Sequence, residues 1–523
     1  MADAQSAPAS GEETTTTVIT ATTHLTLPAH PTPLTYDQLN PKSIPHEFFG
    51  PIGTGGITIL APLFTYIFFY TCNDAVGCTP TSVGGWKRSW ELVGDFPTQA
   101  GKFWDWKAAA VYGAWYAFCI ACWAILPGDK IEGNLLRDGT RKVYKMNGLY
   151  TLLLALGISL GVILQPGGIQ AYTWLHDHWV PLISASLVMA TAQAAFVYVW
   201  SYYSRELLSL GANSGNVVYD FFMGRPLNPH PPFFPSFDLK TFNEVRPGMI
   251  LWVLLNISCA CEQYVRLGTL TDSMLLVLVF EGWYTFDCLI QEHTILNQMD
   301  ITTDGFGFML SFGDLTWVPF TYGLQARFLA FNHVTLGPVW TAVIVAIESA
   351  GIYIFRTANN EKGNFRAGKN PKNLEFMQTE RGTRLLTSGW WGRSRHPNYF
   401  GDWLIALGWC LPTGFHTPLT YYYLVFFIIL LVHRQMRDDE ACKKKYGKDW
   451  DKYCELVPYK IVPYVDRGTA DEAREKWGQR EATKWTVEGD NKGNRAWTEG
   501  RMGSKQAISE GIVLVQITLL SRL

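Results

Sequence analysis

The chain has 523 residues, of which 48% are hydrophobic and only 17% charged, with a formal net charge of −2 and 21 Trp, 24 Tyr and 30 Phe. A soluble protein of this size carries about 25% charged residues, so the composition excludes an ordinary soluble assembly, and the near-neutral balance gives no support to nucleic-acid binding. Ten cysteines lie mostly in apolar runs without paired CxxC units, which argues against a zinc site or a disulfide scaffold.

In chain order, residues 1–45 are polar and rich in Thr, Ser and Pro. This segment has neither the basic start nor the apolar run of a cleaved signal, and reads as a disordered lead-in. Residues 46–465 form the expected membrane domain. Its apolar runs approach the roughly 20 residues needed to cross a bilayer. They are Gly55–Tyr70, Ala108–Leu126, Leu149–Leu164, Val180–Tyr203, Met249–Val265, Met274–Ile290, Leu315–Phe331 and Leu336–Phe355. A final pair, Trp403–Leu411 and Pro418–Val432, is joined by the short turn Pro412–Phe415. The fold class is therefore all-α, a polytopic membrane protein with about ten transmembrane helices. Residues 466–523 read as an atypical polar C-terminal extension. Cys72 and Cys78 flank the loop after the first span and are placed to pair on an oxidising side.

Loop charges orient the bundle. Lys130, Arg137, Arg141, Lys142 and Lys145 crowd the segment Gly128–Lys145, and residues 356–395 and 433–452 are also rich in Lys and Arg. Gln165–His178 and Leu267–Thr271 carry almost none. The basic excess marks the cytoplasmic side. An even number of spans then brings two polar clusters to that side. The first is LLTSGWWGRSRHPNYFGD, residues Leu385–Asp402, and the second is HRQMRDDEACKKKYGKDWDKY, residues His433–Tyr453.

Each cluster has a plain reading and a functional one. Basic and aromatic residues beside a span often serve only as interfacial anchors. Yet Arg395 can fork onto phosphate, Pro397 disfavours helix at His396, and Gly401 permits close backbone approach. In the second cluster acids, lysines and aromatics are mixed, which suits a ligand with phosphates, riboses and flat rings. Lys362 and Arg366 add a helical-face spacing of four, although positive-inside charge accounts for them equally well. No GxGxxG follows a strand: Asp304-Gly305-Phe306-Gly307-Phe308 lies between spans, so a nucleotide must bind between helices. Glu281, Asp287, Glu292, Asp300, Asp304, Asp314 and Glu348 lie in or beside spans, where an acid is costly and is either a structural partner or functional.

The two clusters, together with NSGNVVYDFFMGRPLNP, FNEVRPGMILW and MDITTDGFGFMLSFGDLTWVPFTYGLQARFLAFN, resemble the sterol reductase family of the endoplasmic reticulum. That family includes Δ14-, Δ7- and Δ24(28)-sterol reductases and the lamin B receptor, and these motifs are most similar to its fungal Δ14 branch. The resemblance spans roughly Pro45 to Val465. It implies a multi-pass enzyme of the endoplasmic reticulum membrane that takes NADPH from the cytosol and a sterol from the bilayer, with other sterol-pathway enzymes as possible partners. Carried over residue by residue, it implies cofactor positions at Lys362, Arg366, Leu386, Trp391, Asn398, Tyr399, Asp438, Cys442, Lys443, Lys444, Lys445, Tyr446 and Tyr453. Arg395, His396, Asp402 and Arg434 lie in the same motifs, and no metal is implied. The chain departs from the family after Val465, where a polar tail continues.

An isolated alkene must be protonated before it accepts hydride, so such an enzyme needs an acid, a hydride donor and a dry cavity. For a Δ14 sterol intermediate of ergosterol biosynthesis, protonation leaves the positive charge on a tertiary carbon that a carboxylate or aromatic face stabilises. Asp402 is the first candidate for the proton network and Glu292 the second. The alternatives are reduction of the Δ7 or Δ24(28) bond, an S-adenosylmethionine-dependent membrane methyltransferase with a similar RHPxYxG-like turn, and a non-catalytic sterol-binding protein.

Overall fold

With no water inside a bilayer to bond them, the backbone groups of an apolar run must be satisfied within the run, as a helix. A computed structural model describes residues 34–44, 47–73, 78, 103–234 and 236–465. Its main helices are α1 Gly50–Thr71, α2 Trp106–Ile125, α3 Gly148–Ile163, α4 Trp179–Trp200, α5 Leu239–Val245, α6 Pro247–Leu267, α7 Asp272–Ile290, α8 Phe308–Phe312, α9 Leu324–Phe331, α10 Gly337–Arg366, α11 Pro397–Cys410, α12 Tyr422–Tyr446 and α13 Lys448–Leu456. Among the described residues seven helical spans are long and apolar enough to cross a membrane: those of α1, α2, α4, α5 with α6, α7, α10 and α12. The other expected crossings fall on α3, on α11 and on the interrupted run from α8 to α9, which are too short to qualify by length.

Three departures from the expected spans matter for the site. Helix α10 does not stop near Phe355 but continues to Arg366, so Lys362 and Arg366 stand on its last turns and not in a loop. Helix α12 likewise runs past Val432 to Tyr446, which makes most of the second polar cluster helical. The run Leu315–Phe331 is not one helix: residues Gly313–Trp317 form a π turn, a form concentrated at functional sites. There the backbone of α6 presses close, and a Cβ at Gly248 would lie 1.6 Å from the Asp314 carbonyl oxygen.

Two small hairpins decorate the bundle. Strands β1 Asp129–Leu135 and β2 Arg141–Met146 pair antiparallel with Asp129 opposite Met146, and β3 Phe376–Gln378 pairs with β4 Arg384–Leu386. By charge alone both read as plain basic loops. Residues 34–44, assigned to the polar lead-in, are docked on the domain: Asn40 Oδ1 accepts from the Leu208 N–H at 2.7 Å. The rest of that lead-in, residues 1–33 and 45, and the extension 466–523 lie outside the described residues. Cys72 and Cys78 are joined by a disulfide, at the opposite end of α1 from residues 34–44.

Aromatic packing fills the middle of the bundle, where Trp252, Phe312, Trp317, Trp409 and Tyr423 share one buried cluster. Helices α10 and α11 cross in close contact because Gly401 has no side chain. A Cβ there would meet the Phe355 backbone nitrogen at 2.6 Å and the Gly351 carbonyl oxygen at 2.9 Å. This crossing hangs the first polar cluster over the end of α10.

Candidate active site

The first polar cluster is held by backbone bonds to the segment after α13. The Arg395 N–H donates to the Tyr459 carbonyl at 2.9 Å and the His396 N–H to that of Lys460 at 2.8 Å. His396 has non-helical backbone angles and Pro397 starts α11, as the restriction on a residue before proline requires. The Arg395 side chain, 4% exposed, donates to the Val457 carbonyl at 3.1 Å and pairs with Asp439 of α12 at 3.2 Å. Tyr399 donates to Asp438 Oδ2 at 3.2 Å and stacks on His396 with ring centres 4.8 Å apart. The two clusters, far apart in sequence, are thus one structure at one end of the bundle.

Lys362 of α10 completes this end. Its ammonium lies 4.0 Å from the centre of the Trp391 ring, and Trp391 Nε1 is fixed by the Ala358 carbonyl at 2.8 Å. Asp438 and Cys442 of α12 are within electrostatic reach of Lys362. Leu386 is buried, and its neighbour Leu385 packs with Cys442 and Tyr446 against Trp450, Tyr453 and Val457. Arg366, Lys444 and Lys445 are exposed at the rim. The lysine run is partly spent on the protein itself: Lys443 pairs with Asp451, Lys444 with Glu440 at 3.0 Å, and Lys445 sits over the Tyr446 ring at 4.9 Å.

Several groups here lack protein partners. His396 Nε2, Asn398 Oδ1 and Arg395 Nε are buried without a hydrogen bond. Buried polar atoms are nearly always satisfied, so these mark a place for a polar ligand. Burial first, then the charges of Lys362, Arg395 and Arg434, push the His396 ring down to about 3, so it stays neutral and can accept a bond. Arg434 makes no hydrogen bond or ion pair among the described residues, yet Tyr399, Asp300, Asp438 and Asp402 all lie within its electrostatic reach. Asp402, half-buried, likewise has no direct partner and faces Arg434. Tyr284 and Tyr423 of the aromatic core face Asp402 from the inner side.

Glu292 is not brought to this place. Its carboxylate pairs with Arg246 at 2.6 Å, and its second oxygen accepts from the Gly148 N–H, the first residue of α3, at 2.8 Å. Arg246 is itself anchored on the Lys145 carbonyl and Asn147. Glu292, the second candidate acid, is thus engaged by Arg246 and the start of α3. Asp287 is paired with Arg356, and Glu281 accepts from Trp252 and Asn256 on one oxygen while its Oε1 is buried without a partner. Lys240, Glu244 and Tyr284 escape a reading of the sequence; polar residues inside apolar runs are the available signal. The glycines of Asp304–Phe308 serve packing, since a Cβ at Gly305 would lie 1.6 Å from the Gly224 carbonyl oxygen.

Comparison with known proteins agrees with this layout in extent. Residues 42–466 match the family described as the ergosterol biosynthesis ERG4/ERG24 family. The chain is 46% identical over 426 residues to a Delta(14)-sterol reductase of Schizosaccharomyces pombe, covering 80% of this chain and 97% of that protein. It is 43% identical over 447 residues to the Delta(14)-sterol reductase of Saccharomyces cerevisiae, covering 82% and 99%. A bacterial Delta(14)-sterol reductase, from Methylotuvimicrobium alcaliphilum, is 42% identical over 412 residues, covering 78% and 92%.

Proposed function

The chain belongs to the ergosterol biosynthesis ERG4/ERG24 family, and from that premise we propose that it reduces the Δ14 double bond of a sterol intermediate with NADPH, at the endoplasmic reticulum membrane. One observation carries the reading: Arg434 stands unpaired where Asp402, Asp438 and Tyr399 converge, next to buried polar atoms without partners. Among the described residues the cradle is basic and aromatic at its rim, with unpartnered buried atoms of His396, Asn398 and Arg395 beneath, which fits a dinucleotide better than a neutral lipid.

In this reading Lys362, Arg366 and Arg434 neutralise the phosphates, Trp391 and Leu386 form a flat apolar wall, and Asn398 and His396 fix polar groups of the cofactor. The nicotinamide, when bound, supplies hydride. The sterol comes from the bilayer and lies against Tyr284 and Tyr423. Asp402 holds a proton on its carboxyl oxygen. That O–H bond breaks as a C–H bond forms on the alkene, and the carboxylate left behind faces the positive charge on the adjacent tertiary carbon. Arg434 stabilises the carboxylate as it forms, which favours release of the proton to the alkene.

The test supplies membranes containing this protein with NADPH and, separately, 8,14-, 5,7- and 24(28)-unsaturated sterols, and reads products by mass. Gain of two hydrogens on the 8,14-diene is expected; reduction confined to another sterol overturns the regiochemistry. A thermal midpoint raised by S-adenosylmethionine and not by NADPH overturns the cofactor and the reaction class.

A further inference from the structure

Past Ala358 the sequence of α10 turns polar, Asn-Asn-Glu-Lys-Gly-Asn-Phe-Arg, and such residues are ordinarily solvated. Glu361 is the exception. It is 8% exposed, although a carboxylate is costly to bury. Its Oε1 accepts from Lys372 Nζ at 2.9 Å, and that lysine side chain is 58% exposed. An exposed lysine can meet a carboxylate at the surface, so the ion pair alone does not account for the burial. The second oxygen does: Glu361 Oε2 accepts from the backbone N–H of Trp390 at 2.9 Å.

This bond lies beside the wall assigned to the cofactor. Ala358, Glu361 and Lys362 stand at i, i+3 and i+4 on one face of α10, and all three serve the Trp390–Trp391 step. The Ala358 carbonyl accepts from Trp391 Nε1 at 2.8 Å, and the Lys362 ammonium sits 4.0 Å from the centre of the same ring. Glu361 fixes the backbone one residue earlier, so the indole is held both at its nitrogen and at the chain that carries it. The preceding turn is shaped to admit the carboxylate. Gly389 has φ +67°, and a Cβ there would lie 2.7 Å from Glu361 Oε2 and 2.9 Å from Leu374 Cδ2. Lys372 is presented by a loop closed at Asn370, whose Oδ1 accepts from the Leu374 N–H at 2.8 Å. The chain then forms β3 and β4, and β4 ends on Leu386, the other part of the wall.

Resting on the proposed NADPH site, we infer that Glu361 is a positioning residue for the cofactor: its carboxylate holds the Trp390 N–H so that the Trp391 ring stands beside Lys362 before NADPH arrives. It touches neither cofactor nor sterol. The position requires a hydrogen-bond acceptor at that reach, and the negative charge serves to hold Lys372 and its loop. A bond to an ionised acceptor is among the stronger hydrogen bonds. Without it the wall is free to move, and ordering it again counts against binding. Affinity for NADPH then falls, while hydride transfer from bound NADPH does not.

The full chain in lipid nanodiscs, with NADPH and an 8,14-diene sterol, tests this through kcat and KM, with NADPH affinity read by titration calorimetry. Glu361→Ala is expected to raise Kd and KM for NADPH about tenfold, with kcat at saturation and KM for the sterol as in wild type. Glu361→Gln keeps an acceptor at the same reach and should stay within about threefold of wild type. Glu361→Asp keeps the charge but is one methylene too short, and should resemble Glu361→Ala. A plain ion pair gives the opposite order, Asp tolerated and Gln damaging, and that order overturns the inference. So does unchanged NADPH affinity in the Ala and Asp variants, or a fall in kcat and thermal midpoint with NADPH affinity intact. Should Glu361→Ala fail to fold, the Gln and Asp variants decide; failure of all three to fold marks a structural role and overturns the inference. A wild type that binds no NADPH fails the cofactor reading and takes this one with it, whereas a wild type that binds NADPH alongside indifferent variants fails the positioning role alone.

Discussion

Two arginines, Arg246 buried and Arg434 half-buried, differ in one respect. Arg246, 1% exposed as a side chain, is saturated by Glu292, Asn147 and the Lys145 carbonyl. Arg434 is ringed by Asp402, Asp438, Asp300 and Tyr399 and bonded to none of them. Arg246 recovers the cost of its burial within the protein, whereas the more exposed Arg434 is left without a bonded partner. A charged group left without a partner beside buried polar atoms is placed to meet something that arrives, and on the proposed reading the contrast separates a structural acid from a working one.

The largest effect should come at the open arginine. Asp402→Asn is expected to lower single-turnover reduction by about a hundredfold to ten-thousandfold with the fold and NADPH stabilisation intact; unchanged turnover in nanodiscs would break the contrast at its centre. Glu292→Gln should do the reverse. Leaving Arg246 buried and half-paired costs about 3–5 kcal/mol of stability, seen as a lower thermal midpoint, while turnover per folded molecule survives. If turnover collapses and stability does not, Glu292 returns as the acid. Lys362→Ala, which removes a cation held over Trp391, should weaken NADPH binding by about tenfold, near 1.4 kcal/mol, with little change in rate at saturation. Titration calorimetry separates affinity from rate.

The smallest effect is on pH dependence. In the folded chain the His396 ring, pushed down to about 3 from 6.5, is neutral where an unfolded histidine is charged. Between those values the unfolded chain binds more protons, so this residue's contribution to stability is present above about pH 6.5 and is lost as pH falls towards 3. Thermal midpoints recorded over that window should fall less steeply on acidification in His396→Gln than in the wild type; equal slopes would place the ring in water.

Much of this molecule is legible in its amino-acid sequence. Composition and apolar run length dictate helices in a bilayer, and charge-poor and charge-rich loops alternate as the ends of a bundle do. The HPN turn announces its own break, since Pro397 bars helix at His396 whatever surrounds it. Less visible is that Lys362 and Arg366 ride on a helix: past Phe355 the chain turns polar, and polarity alone does not distinguish an emerging helix from a loop. The interruption at Gly313–Trp317 is equally hidden, because it is imposed by the close backbone of Gly248 on another helix.

By itself the sequence determined the class of the molecule, the residues available for chemistry and the end of the bundle on which they gather. Those follow from local physics, from what dissolves in lipid and what a proline permits. Only the tertiary structure decided which carboxyl is free. Glu292 and Asp402 look alike in a run of letters, but a carboxylate's role is fixed by the cation opposite it. That cation comes from a distant part of the chain, placed by packing that no local pattern encodes.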